Sequence, residues 1–397
     1  MKKLLYGTTA LVAAGVISGG AAVAAEMKKP TPIEISVGGT FNAEIYYSTQ
    51  SDNTAAGGVG VLRNHGLKRE AEIRFRGQTT LDNGLIVGVR VNFEAETCAD
   101  QVDESWIFFD SHEYGRVEIG NTDLATTKMI YGAPNILPNH WTGIHNIVEL
   151  QKAPGQPGLG IDTLGRLNVA DDSEHLTYFT PRIAGFQLGV SYVPDNCQEN
   201  EATTTGVACG GSFAGLQAHN TAGQQSQIWD VGLNYVNKFG DFGVGIYGGY
   251  WHGQLENPAA LAATSADKNE EIYGFGASVD YAGFTVGGHF RHDNGGCSNC
   301  RTIEYYGGVK YVTGPWGFGF EGGEKKVAQG FNNNGVVKTT AISGDDRLRE
   351  LNVGATYALG PGITTYGGLI FKKDADGTAG VPGTSGVVFL LCTQLLF

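Results

Sequence analysis

The sequence predicts an all-β fold: a transmembrane, antiparallel, up-and-down β-barrel of about sixteen strands, built as a single domain over residues 26–397. Three observations carry this. Long segments alternate strictly between apolar and polar residues. The connections between them alternate between long and short. The chain stops on an apolar run, Gly386 to Phe397, with no polar tail.

The first 25 residues set the compartment. Lys2 and Lys3 precede an Ala/Gly/Val/Leu-rich stretch that ends in AAVAAE. A charged start, an apolar centre and small residues at the cleavage point make a secretory signal peptide, 1–25, cut after Ala24 or Ala25. The chain carries 27 Lys and Arg against 40 Asp and Glu, a net charge of −13, and the leader removes two of the lysines. Nucleic acid binding needs basic surface to displace counterions, so this balance argues against it. No stretch after the leader holds 18 consecutive apolar residues, so no transmembrane helix is predicted there. Sixty-one glycines, with many Tyr and Phe, favour β structure.

The first strand, 33–48, places Ile33, Ile35, Val37, Phe41, Ala43, Ile45 and Tyr47 on one face, and Glu34 and Glu44 on the other. The second, 67–81, sets Leu67, Ala71, Ile73 and Phe75 against Lys68, Glu70, Glu72, Arg74 and Arg76. The third, 85–96, sets Leu85, Val87, Val89, Val91 and Phe93 against Arg90, Asn92, Glu94 and Glu96. A soluble sandwich would bury the apolar faces. A membrane barrel would turn them to lipid and the charges to a wet lumen.

The long-range layout separates the two. Further strands are predicted at 104–110, 116–121, 174–180, 185–193, 227–236, 242–251, 270–280, 284–291, 301–311, 315–321, 347–357, 363–371 and 386–397. Long connections (49–66, 122–173, 194–226, 252–269, 322–346, 372–385) alternate with tight ones such as DNG at 82–84 and AG at 282–283. That is the rhythm of a barrel with short turns at one rim and loops at the other. Aromatics flank the tight turns: Tyr235 and Phe242, Tyr281 and Phe284, Tyr311 and Trp316, and Tyr357. Amphipathic rings gather at a membrane–water interface. The last strand must then close the ring against the first, because lipid leaves no partner for an open edge.

The terminal Phe397, with Leu395, Thr393, Leu391, Phe389 and Val387 at alternate positions before it, resembles the signal read by the outer-membrane assembly machinery. LTYFTPRIAGFQLGVSYVPD (176–195) is similar to the sixth and seventh strands of Gram-negative general porins of the alphaproteobacterial type. GRVEIGNTD (115–123) resembles the strand that leads into that family's third loop. The PEFGG-type loop motif of some general porins is absent. The resemblance implies a sixteen-stranded homotrimer in the outer membrane that passes small hydrophilic solutes and ions. It further implies that the loop at 122–173 folds into the lumen and narrows it. MIYGAPNILPNHWTGIH (129–145) has the apolar content to pack there, and a structureless connection of that length is usually either functional or disordered.

A three-residue DNG turn with Gly84 left-handed sets the register of the second and third strands. Arg76 then falls opposite Arg90, Arg74 opposite Asn92, Glu72 opposite Glu94, and Glu70 opposite Glu96. Like charges directly opposed cost up to about 1 kcal/mol per pair, a burden that hydration in a lumen relieves. In general porins such arginines face acids on the third loop. The predicted constriction is therefore Arg74, Arg76 and Arg90, with Glu72 and Glu94 beside them and Asp123 as acidic partner. The excess of carboxylates predicts a mild preference for cations.

The remaining clusters carry less. Export lets cysteines pair. Cys197 with Cys209, and Cys297 and Cys300 of CSNC, are read as loop staples, the latter within the pair or to a neighbouring loop. Cys98 and Cys392 have no assigned partner. His140, His145 and Glu149 miss one helix face and predict no metal site. His289 and Arg291 fall in the inward phase as lumen residues. Glycine runs such as FGVGIYGGY are read as easing strand curvature, since no helix follows to make a dinucleotide site. No catalytic motif and no cofactor are predicted. The rival readings are a barrel enzyme and a structural or adhesive barrel with a closed lumen.

Overall fold

The computed structural model describes residues 32–50, 63–95, 102–138, 165–167, 170, 173–196, 225–256, 268–297, 300–328, 345–375 and 383–397. The signal segment, Cys98, Cys197, Cys209, His140, His145 and Glu149 lie outside them. The strands are β1 (Glu34–Gln50), β2 (His65–Thr80), β3 (Ile86–Glu94), β4 (Glu104–Ser111), β5 (Gly115–Asn121), β6 (Glu174–Phe179), β7 (Phe186–Asp195) and β8 (Gln225–Phe239). They continue as β9 (Phe242–Leu255), β10 (Glu270–Tyr281), β11 (Phe284–Asp293), β12 (Thr302–Thr313), β13 (Trp316–Val327), β14 (Asp346–Gly360), β15 (Ile363–Ala375) and β16 (Thr384–Leu396). One short helix, α1 (Ala125–Lys128), follows β5.

Each strand pairs antiparallel with its sequence neighbours, and β1 pairs with β16 to close the barrel. At the seam Phe41 faces Leu395 and Ile45 faces Leu391. The Gly39 N–H donates to the Phe397 carbonyl at 2.9 Å, and the Phe397 N–H donates back at 3.1 Å. The apolar run to Phe397 thus forms the strand that partners the first.

Period-two alternation decides which way each side chain points. On β1, Ile35, Phe41 and Ile45 are exposed on the outer wall, while Asn42 and Glu44 are buried inside. The oily face is outside and the charged face inside, the inverse of a soluble sandwich.

The DNG turn has the expected form: Gly84 has φ 82°, and the Leu81 N–H donates to the Leu85 carbonyl at 2.8 Å. Register follows from it, with Arg76 opposite Arg90, Arg74 opposite Asn92 and Glu72 opposite Glu94. Glu96 lies outside the described residues. Beside the short turns the aromatics form inter-strand pairs. Ring centroids are 4.7 Å apart for Phe186 and Tyr235, 4.1 Å for Phe242 and Tyr281, 4.4 Å for Phe284 and Tyr311, and 4.5 Å for Trp316 and Tyr357.

Three strands run well past their predicted ends. β9 continues to Leu255, β13 to Val327 and β15 to Ala375. The added stretch of β13, GGEKKV, reads as a loop because it is glycine-rich and charged. Near a wet rim both faces of a strand can carry charge, so polarity there does not mark a strand end.

Candidate functional site

The described part of the connection after β5, 122–138 with 165–167 and 170, turns inward and lies against the β6–β16 side of the lumen. Its backbone is held by strand side chains. The Ala125 N–H donates to Ser191 Oγ at 2.8 Å. Asp230, fully buried, accepts from the Thr126 N–H at 2.8 Å and from Thr126 Oγ1 at 2.5 Å. Asn234 donates to the Met129 carbonyl and Lys310 to the Asn135 carbonyl, each at 3.1 Å. Burial of the Tyr131 phenol, the largest influence on it, raises its pKa above the usual tyrosine value.

Apolar contacts complete the seat. Leu124, Leu167 and Ala170 of the loop pack with Val193, Ile228, Trp251 and Ile272 from the inward faces of β7 to β10. Farther along, Ile136 and Leu137 pack with Tyr366, Ile370, Val388 and Leu390 of β15 and β16. Inward positions in this half of the barrel are therefore often apolar, because they meet protein rather than water. The glycines of β9 also find their reason here. A Cβ on Gly245 would enter the Tyr131 ring, and one on Gly249 would meet Leu167 and Thr126 at 2.9 Å. Curvature was the expected role of these glycines; clearance for the loop is what the structure shows.

The facing wall is β2 to β5, and its inward side chains are layered. Toward the long-loop rim lie acids: Glu72, Asp103 and Glu104 bring carboxylate oxygens within 4.8 Å of one another. Arg74 pairs with Glu72 and donates to Thr40 Oγ1 at 3.3 Å. Below them Arg76 and Arg90 face each other in register. Arg90 Nε donates to Asn92 Oδ1 at 3.2 Å, and Asn92 in turn bonds Glu104. Lower still, Arg116 donates to Glu118 at 2.6 Å and to Asp110 at 3.3 Å.

Two rings of β4 organise these cations. Arg76 lies 5.6 Å and Arg116 4.1 Å from the centre of Phe108. Arg90 lies 5.3 Å and the loop residue Lys128 5.2 Å from the centre of Trp106. Both rings are buried. Such contacts are worth about 0.5–2 kcal/mol each. Arg76 thus leans on a ring of β4. Lys128 also reaches Glu118 at 2.6 Å, tying α1 to β5.

Asp123 stands at the root of the loop, its N–H donating to Glu104 Oε1 at 3.3 Å. Glu94 sits opposite Glu72. His289 and Arg291 are inward and buried, His289 beside Glu304 at 3.9 Å and Arg291 beside Asp293 at 3.2 Å. Cys297 and Cys300 are bonded to each other in the β11–β12 connection, and Cys392 is free and buried on the inner face of β16. Sequence reasoning missed Glu104, Trp106, Phe108, Arg116 and Glu118. Parity contained the signal: 104, 106, 108 and 110 share a face, which puts two large rings among acids.

The family model for Gram-negative porins matches residues 7–377. No curated protein sequence matches the chain. Among solved structures, a porin refined at 1.8 Å superposes with TM-score 0.53 at 15% identity, covering 92% of this chain and 100% of that one. In-vitro folded OmpT of Vibrio cholerae does so with TM-score 0.57 at 11% identity, covering 94% and 100%. A mutant of Rh. blastica porin gives TM-score 0.50 at 14% identity, covering 92% and 100%. At these identities the structural likeness speaks for the fold, and the family model speaks for descent. Since that model covers nearly all of a closed barrel, this chain belongs to the Gram-negative porin family and forms a channel in the outer membrane.

Proposed function

We propose that solutes cross by passive diffusion through the gap between the β2–β5 wall and the infolded loop. The observation that carries this reading is the loop's attachment across the lumen, through Asp230 at one end of the described segment and Lys310 near the other. A loop so held narrows the pore without sealing the arginine wall. Arg74, Arg76 and Arg90, joined by Arg116, form the basic side, and Glu72, Glu94 and Asp123 supply acids above it. Small polar solutes align in the resulting field. Apolar ones are disfavoured because they displace ordered water. The carboxylates nearer the long-loop rim give a mild cation preference, since local charge sets the counter-ion population. No bond is made or broken.

The mature protein is read as a homotrimer of residues 26–397, exported by the leader and inserted through the assembly machinery by way of Phe397. The trimer form of Vibrio cholerae OmpT, with TM-score 0.56 at 11% identity over 93% of this chain and 100% of that one, supports that state. Liposome swelling in neutral sugars of increasing size tests the reading. Rates should fall steeply with solute size. Swelling no faster than in protein-free liposomes would refute it.

A further inference from the structure

The outer wall carries a charged array that solute diffusion does not use. Outward residues of neighbouring strands form rows. One row reads Glu324, Arg349, Lys373 across β13, β14 and β15, and the next row toward the long-loop rim reads Lys326 and Arg347. Four cations and one carboxylate thus share two adjacent rows, in a chain whose net charge is −13. Arg347, Arg349 and Lys373 are exposed and Lys326 is half-buried. Glu324 is already engaged: Tyr305 Oη donates to it at 3.0 Å, Arg349 Nε at 3.1 Å, and Lys326 Nζ lies 3.4 Å away. Arg347 and Lys373 make no ion pair among the described residues. Strands lie about 4.8 Å apart and rows about 6.8 Å, so the four cationic groups can converge on one anion.

Directly below, the wall turns apolar. Gly307 and Gly322 pair side by side, which leaves a shallow trough under the cations. Leu351 and Phe320 stand exposed at its margins. From Arg347 to Tyr357 of the aromatic belt is about 34 Å of strand, or roughly 26 Å of height at the usual barrel tilt. That matches the apolar band of an outer-membrane barrel, about 25 Å. The cations therefore stand at the outer-leaflet interface, with the aromatic belt at the inner one.

We propose that this face binds a phosphorylated lipid of the outer leaflet, its phosphate on Lys326, Arg347, Arg349 and Lys373 and an acyl chain in the trough over Gly322. Guanidinium and ammonium groups together suit phosphate oxygens. A soluble anion would gain nothing from the trough, whereas a lipid uses both halves of the surface. The inference rests on the membrane-spanning barrel and not on what the lumen conducts.

The test titrates the full mature protein in non-ionic micelles with diphosphoryl lipid A and counts retained lipid by native mass spectrometry. Phosphatidylcholine and inorganic phosphate are the comparison ligands. Lipid A should be retained and phosphatidylcholine lost. The K326Q/R347Q/R349Q/K373Q variant should bind several hundred-fold more weakly, and E324Q several-fold more tightly. The milder K326Q/K373Q pair should lose about 30-fold, and guards against misfolding of the quadruple variant. Conductance should be unchanged in all three, which separates failure here from failure of the channel reading. Equal retention of lipid A by the quadruple variant, or of phosphatidylcholine by the wild type, overturns the proposal. So does displacement by millimolar inorganic phosphate, which would mark a soluble-anion site. A change in subunit number in the quadruple variant would mark a protein interface instead.

Discussion

Arg76 and Arg90 face each other in register across β2 and β3, yet each leans on a different ring of β4, Arg76 on Phe108 and Arg90 on Trp106. The two rings are two residues apart on one face, so they draw the opposed guanidiniums toward different heights. A like-charge pair that would strain a dry sheet is spread along the wall.

Neutralising one member should therefore separate stability from function. R76Q removes a repulsion worth a few tenths to about 1 kcal/mol, and with it the Phe108 contact of about 0.5–2 kcal/mol. The two largely offset, so its thermal stability should move by no more than about 1 kcal/mol. A unit charge about 8 Å from an ion in water acts with roughly 0.5 kcal/mol, about a factor of two in partition. Reversal potentials in a salt gradient should accordingly move toward cation preference. A large stability loss would show that Arg76 holds the wall together.

Phe108 should matter through its π face as well as its volume. F108L keeps most of the buried volume, a change that alone costs under about 1.5 kcal/mol, but it also gives up two ring–cation contacts of about 0.5–2 kcal/mol each. It loses the platform shared by Arg76 and Arg116. The variant should change ion selectivity and lower the melting temperature, through the lost ring–cation contacts more than through lost volume. Unchanged selectivity would make the ring mere filling.

Asp230 is the strongest anchor of the loop. D230A leaves the Thr126 N–H and hydroxyl without their acceptor in a buried site, a loss of about 3 kcal/mol. Heat-induced unfolding on gels should come at lower temperature, and single channels should show added current noise. D230N, which keeps one acceptor oxygen, should fall between. A quiet D230A channel would mean that the other contacts hold the loop alone.

Two glycines of one strand make a matched pair. At Gly245 a side chain would collide with Tyr131, whereas around Gly248 there is nothing within 4 Å. G245V should displace the loop and alter conductance and the solute size limit. G248A should leave both unchanged. Equal behaviour of the two variants would argue against the loop's path along β9.

The barrel was legible in the sequence because its determinants are local. Alternation marks each strand, Gly84 fixes one register, and the apolar run to Phe397 requires a partner strand. The interior was legible only in part. Trp106 and Phe108 are inward by parity, but only the register shows which arginines they carry. Gly245 looks like any strand glycine until Tyr131, more than a hundred residues earlier, is placed against it. Lys128 gives no local sign that it will meet Glu118. Contacts between a loop and a distant wall leave no periodic trace, so that part of the site had to be seen.

The most direct test of the central claim is single-channel recording of the purified mature protein in a bilayer of uncharged lipid. The account predicts discrete current steps of uniform size, ohmic at low voltage, with a reversal potential in a salt gradient of cation-preferring sign. A bilayer that stays silent after folded, heat-modifiable barrel has been shown to insert would contradict it.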